Sequence, residues 1–259
     1  MIPTFYFFIF GLIFGSFLNC VIYRLEEGKS FLKGRSFCPH CQHPLSFYDL
    51  IPLFSFFFLR GKCRYCQNKI SLQYPLVEFF TGLLFSLIFL KFSLNFQVLI
   101  YNLTICCLLI LIFVFDLKHY LIPDQLIFGG TFLALIYQIF KIYNFGNWNL
   151  SQIFNLGLAI LPSFFFLTII LISKEKWMGF GDFKLAIFLG LFLEFPKILV
   201  SLFISFLIGG IIGLGLVLTK KKNLKSEIPF APFLVSGTFL TLFFGEKLID
   251  WYLNLFLFK

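Results

Sequence analysis

Two aspartates and four cysteines are the residues whose type and spacing carry chemistry in this chain. Asp116 lies in "FDLKHYLIPDQL" (115–126) and Asp182 in "GFGDFKLA" (179–186), each at the end of an apolar run. Charge is costly beside a bilayer, so an ionisable residue drawn inside its boundary is a functional candidate. Two carboxylates that share a site do not both ionise cheaply, and one keeps its proton. The charged one is then a general base for water, and the protonated one polarises a carbonyl. That pair hydrolyses an amide without a covalent intermediate and titrates as a unit. Gly179 and Gly181 remove side chains beside Asp182, leaving room for an extended peptide backbone. The competing reading is that each aspartate caps or anchors a helix end. Asp124, directly after Pro123, is a helix-start acid of that kind. Lys184 follows Asp182 by two positions, about 200° around a helix. No direct ion pair between them is expected, and the ammonium is read as snorkelling to the interface.

The cysteines form "CPHC" (38–41) and "CRYC" (63–66), two C-x-x-C pairs separated by 21 residues. This is the spacing of a structural zinc site with Cys38, Cys41, Cys63 and Cys66 as ligands. Four thiolates close the shell, so the metal would hold structure and not activate water. Arg60, Lys62, Arg64 and Lys69 would offset the charge of the zinc–thiolate centre. His40 and His43 are alternative ligands. Disulfides are the other reading, disfavoured because the basic loop places the segment in a reducing cytoplasm. Cys20, Cys106 and Cys107 sit in apolar runs and read as small buried hydrophobes.

These residues need helices to hold them. Of 259 residues, 59% are hydrophobic and 13% charged, which excludes a soluble domain. The net charge of +9 fits basic cytoplasmic loops better than nucleic-acid binding. Residues 1–23 are uncharged and lack a basic signal-peptide n-region, so they read as a retained first helix. Uncharged runs predict eight spans: 1–23, about 76–90, 92–115, about 121–140, about 150–173, about 179–195, 198–219 and 228–245. The expected fold is an all-α polytopic membrane protein of about eight transmembrane helices, with a small zinc-bound cytoplasmic domain between helices 1 and 2. The expected divisions are a first helix at 1–24, the zinc domain at 25–75, and transmembrane helices at 76–259 that end in an interfacial segment (246–259). With both termini outside, segments 24–75, 116–120, 174–184 and 220–227 are cytoplasmic and hold 16 of the 21 basic residues. Asp116 and Asp182 then share one depth at the cytoplasmic face. Only nine uncharged residues follow from Leu185 to Leu193, so a crossing helix starting near Met178 draws Asp182 below the surface.

Four motifs in order resemble the type IV prepilin peptidases, GxGD-type intramembrane aspartyl proteases. "GSFLNCVIYR" (15–24) is similar to their first-helix signature. "CPHC" through "LIPLFSFFFLRGKCRYCQNKISLQYPLVE" (38–78) is similar to their zinc-bearing domain. "DLKHYLIPD" (116–124) and "GFGDFKLA" (179–186) are similar to their two aspartate motifs. The resemblance implies an inner-membrane endopeptidase that removes the short basic leader of prepilins or pseudopilins after a glycine, with Asp116 and Asp182 catalytic. It also implies N-methylation of the new amino terminus from S-adenosylmethionine. The chain departs from the family near 47–57, where tryptophans and an asparagine are frequent and Phe47, Asp49 and Phe56 stand nearby. The methyl donor has no visible glycine fingerprint; Asn19 and Arg24 are its candidates, or simply a polar helix end. Two rival readings are a proton-coupled transporter relaying through Asp116 and Asp182, and a zinc-scaffolded assembly protein. A transporter would favour acids near the midplane and an internal repeat, and neither is evident. Partners are prepilin-like substrates and the bilayer, with no nucleic acid and an open oligomeric state.

Overall fold

The computed structural model describes residues 2–28, 34–144, 150–220 and 227–256. The lysines at 221–225 and the outer turn at 145–149, both used to orient the chain, lie outside the described residues. Helices dominate: α1 (Ile2–Glu26), α2 (Phe54–Phe58), α3 (Gln73–Phe92), α4 (Phe96–His119), α5 (Asp124–Asn144), α6 (Leu150–Ile160), α7 (Ser163–Ser173), α8 (Phe180–Leu193), α9 (Lys197–Leu218) and α10 (Ala231–Phe256). Among the described residues, extended pairing is confined to two isolated bridges, Phe37 with Pro44 and Lys62 with Lys69.

Seven stretches are long and apolar enough to cross a membrane: α1, α3, α4, α5, Phe154–Ser173, α9 and α10. The fifth is interrupted between α6 and α7, at Leu161 and Pro162. The expected span at 179–195 is α8, and it is shorter than expected. Its 14 residues rise about 21 Å, against a hydrocarbon core of about 30 Å. It begins after the extended Gly179 and stops at Glu194, whose φ of 63° leaves the helical region. Residues 246–256 are not a separate element, because α10 continues through them.

The chain divides into two compact units, Met1–Leu111 and Ile112–Lys259. The division falls inside α4, and α3 pairs with α1 in the first unit. In the first unit that pairing is close. Gly11 and Gly15, one helical turn apart, meet α3 so tightly that a Cβ on Gly11 would lie 2.7 Å from Gly82 Cα, and one on Gly15 2.6 Å from Glu78 Cα. Small residues four apart let membrane helices approach backbone to backbone. In the second unit α8 is the hub, touching α5, α6, α7, α9 and α10. Nine of its residues are buried, including the run Phe188–Leu193. A helix apolar on every side is one enclosed by others, and this enclosure is what a helix too short to span requires.

Candidate active site

The cysteine cluster is built from two knuckles of one design. Each contains C-x-x-C-Q, with Gln42 (φ 56°) and Gln67 (φ 59°) turning the chain. In the first, Gln42 N–H donates to Cys38 O (2.8 Å) and Cys38 N–H to His43 O (3.0 Å); in the second, Gln67 N–H donates to Cys63 O (3.0 Å) and Cys63 N–H to Asn68 O (2.9 Å). The repeated pentapeptide "CPHCQ" and "CRYCQ" was the sequence signal for this local duplication. All four Sγ atoms lie within 4.8 Å of one another. Cys38 and Cys66 Sγ are 3.9 Å apart, close to the edge of about 3.8 Å that a Zn–S bond of about 2.3 Å sets in a tetrahedron. The cluster is therefore shaped to hold a metal. No cysteine is disulfide-bonded. Burial raises the Cys38 thiol, but N–H groups of Cys41 and His40 and neighbouring thiols bring it down to about 7. Cys66 receives the Asn68 N–H, yet burial and the other thiols push it up to about 11. Four crowded thiols do not all ionise without a cation among them.

His43 is not part of the cluster; its ring stacks on Tyr65 with centroids 3.7 Å apart. Asp49 receives Arg64 Nε (2.7 Å), Ser46 Oγ (2.7 Å) and Ser46 N–H (3.1 Å). Burial raises its carboxyl, but these bonds and the guanidinium hold it below the usual carboxylate range. Phe56 packs on Gly61, where a Cβ would lie 3.1 Å from Cζ. Asn19 and Arg24 act on this unit's own chain. Asn19 Nδ2 donates to Tyr74 O (3.1 Å), and Arg24 NH2 to Gly34 O (2.9 Å) and Arg35 O (3.3 Å). Glu78 was not anticipated. It is buried in α3 and accepts the Leu53 N–H at 2.8 Å, tying the knuckle module to a membrane helix.

In the second unit α4 presents Asp116 one turn before its end, and α8 presents Asp182 as its third residue. Both carboxylates are buried, 5% and 9% exposed, and close enough for their charges to interact. The structure thus brings together the two aspartates that sequence placed at one depth. Each also rests on a helix start. Ala231 N–H, first in α10, donates to Asp116 Oδ2 at 3.2 Å. Asp182 is the third residue of α8, in the first turn, where an acid suits the positive end of the helix. The capping reading and the dyad reading are therefore compatible. Ala231 escaped the sequence reading; its signal was "IPFAPF" (228–233), two prolines around a helix start.

The two glycines differ. A Cβ on Gly181 would lie 3.3 Å from Ile122 Cδ1, whereas one on Gly179 would meet nothing closer than a backbone nitrogen at 4.0 Å. Gly181 is partly a packing residue, and Gly179 alone opens on free space. Lys184 turns away from Asp182, as its angle dictates, and pairs with Asp124 Oδ1 at 2.7 Å. Its ammonium also lies 5.5 Å from the Phe128 ring centroid. The far end of α8 is held the same way: Lys141 and Gln138 of α5 donate to Glu194 Oε1 at 2.6 and 2.9 Å.

Comparison with known proteins identifies the family. Residues 9–92 match the bacterial peptidase A24 N-terminal domain, and residues 103–214 match the type IV leader peptidase family. Proteins named prepilin leader peptidase/N-methyltransferase are similar along nearly the whole chain. That of Aeromonas hydrophila is 34% identical over 287 residues, covering 99% of this chain and 97% of the relative. That of Bacillus subtilis is 34% identical over 249 residues (96% and 97%). That of Pseudomonas aeruginosa is 30% identical over 273 residues (96% and 93%). No solved structure matches. Two aspartates held at neighbouring helix ends in a multi-pass helical protein, matched over its length by these enzymes, place the chain in the type IV leader peptidase family.

Proposed function

We propose that this protein is a membrane aspartyl endopeptidase that removes the basic leader of prepilins or pseudopilins after a glycine, working at the cytoplasmic face of a bacterial inner membrane. The observation that carries the reading is the meeting of Asp116 and Asp182, buried, on different helices of one unit. The ionised member takes a proton from water, and the water oxygen attacks the scissile carbonyl. The protonated member donates to the carbonyl oxygen, giving a neutral tetrahedral diol. Collapse returns a proton to the leaving amine and frees a leader ending in a carboxylate. Ala231 N–H holds one Asp116 oxygen, so the other is left for water or substrate. Gly179 gives the extended substrate clearance. The reading as a transporter drops out with the family assignment.

The four-cysteine cluster is proposed to hold one structural Zn2+. The relatives' names also carry N-methylation of the new amino terminus, for which S-adenosylmethionine would supply the methyl group. The aromatic pocket of the first unit, about 370 Å3 between Tyr48, Phe54, Phe58 and Arg64, has no acidic lining group to hold a ribose diol.

The test uses purified protein in lipid and a prepilin-like peptide with a basic leader. Asp116→Asn and Asp182→Asn are each expected to lower kcat by at least about 100-fold, with metal content and melting midpoint retained. Undiminished cleavage by either variant overturns the role of that aspartate.

A further inference from the structure

The first unit carries an aromatic face that its own packing leaves uncovered. Phe54, Phe57 and Phe58 stand at i, i+3 and i+4 of α2, one side of a helix, and are 61%, 71% and 84% exposed. Phe56, on the opposite side, is the one that packs inward on Gly61. Phe47 and Tyr48, in the preceding 3-10 turn, are also exposed. Water is a poor partner for a face of this kind.

Its neighbourhood says what covers it. Leu53, immediately before α2, gives its N–H to Glu78 Oε2. Glu78 is the sixth residue of the membrane helix α3, roughly 8 Å along its axis from the start. The α3 helix has 20 residues, just enough to cross a hydrocarbon core of about 30 Å. The first turn of α2 is therefore held about 8 Å inward from the start of α3, within the roughly 5–10 Å that an interfacial apolar face sinks below the headgroups. Arg60, Lys62 and Lys69, all exposed on the same module, supply positive charge beside the aromatic side chains. An apolar stripe with flanking cations is the chemistry of an interfacial membrane helix.

We propose that the Phe54, Phe57 and Phe58 face of α2 is seated in the headgroup–acyl boundary of an anionic leaflet. The metal-binding module is then a membrane-lying element and not a domain free in the cytoplasm. The proposal is independent of the catalytic reading, since it concerns only the first unit.

The test is depth-dependent fluorescence of the full chain in nanodiscs of phosphatidylethanolamine and phosphatidylglycerol. Trp148, Trp177 and Trp251 are changed to Phe, and Phe57→Trp or Phe58→Trp supplies a single reporter. One metal per chain confirms that the module is folded. A seated face gives blue-shifted emission, about two-fold quenching by lipid spin-labelled high on the acyl chain, and acrylamide quenching several-fold weaker than for free tryptophanamide. Acrylamide quenching equal to the free indole, with no lipid quenching, overturns the proposal. So does a reporter that becomes shielded only when a prepilin-like peptide is added, which would make the face a peptide site.

Discussion

Asp182 does two things at once, and the residue scale shows why that is possible. Its carboxylate stands in the first turn of α8, where an acid suits the helix start, while the charge of Asp116 reaches it from another helix. In the proposed reaction one oxygen serves the helix start while the other faces the substrate. Gly179 and Gly181 separate the same way. Gly179→Ala meets open space and should shift the melting midpoint by less than the effect of about 1 kcal/mol. A rise in KM for the peptide with kcat held would show that the missing side chain had been clearance for substrate. Gly181→Ala pushes on Ile122 and should lower stability in a thermal melt with no peptide present. Asp49 is fully used by Ser46 and Arg64. Asp49→Ala leaves the Ser46 N–H without its acceptor, a loss of about 1–3 kcal/mol, measurable as easier chemical unfolding of the first unit.

At the scale of elements, α8 explains how a short helix holds Asp182, the proposed catalytic acid, steady. Its second turn is tied to α5 by Lys184 and Asp124 and its end by Glu194 with Lys141 and Gln138. Between them Phe188 fills the space over Gly130, and Gly190 lies so close to Ala159 O that a Cβ would collide. The Lys184–Asp124 pair is partly exposed, so breaking it costs only about 0.2–1 kcal/mol of stability. Its importance is positional. Lys184→Met is expected to lower kcat about ten-fold with KM unchanged, since misplacement of a reacting group by a fraction of an ångström is enough. The double exchange Lys184→Asp with Asp124→Lys should recover most of it. If the single variant keeps full kcat, the pair is only a surface contact. Gly190→Val forces backbone apart, and because a carbonyl of α6 does not rotate away, a loss above about 1–3 kcal/mol is expected in thermal unfolding.

For the whole molecule, two compact units predict two responses to metal loss. The cysteines lie in the first unit and both aspartates in the second. Cys38→Ser or Cys63→Ser should lose the bound metal, read by metal analysis, and should melt the knuckle module while residual peptide cleavage persists. Full metal retention in both variants would refute the cluster as a metal site. The sequence by itself determined the membrane class, the four cysteines that cluster and the two aspartates that the fold brings near one another. Apolar run length, C-x-x-C spacing and charge position act locally, and each is readable without knowing its neighbours. Tertiary structure alone decided that 179–195 is a 14-residue helix enclosed by five others, because its end depends on Glu194 finding Lys141 of α5. It also decided that α10 supplies Ala231 to Asp116, that Glu78 reaches Leu53, and that Lys184 pairs with Asp124. Those partners stand between 25 and 115 residues apart in the chain. Only folding brings such groups within hydrogen-bonding distance, and a pattern in the chain does not record which of many distant groups will be met.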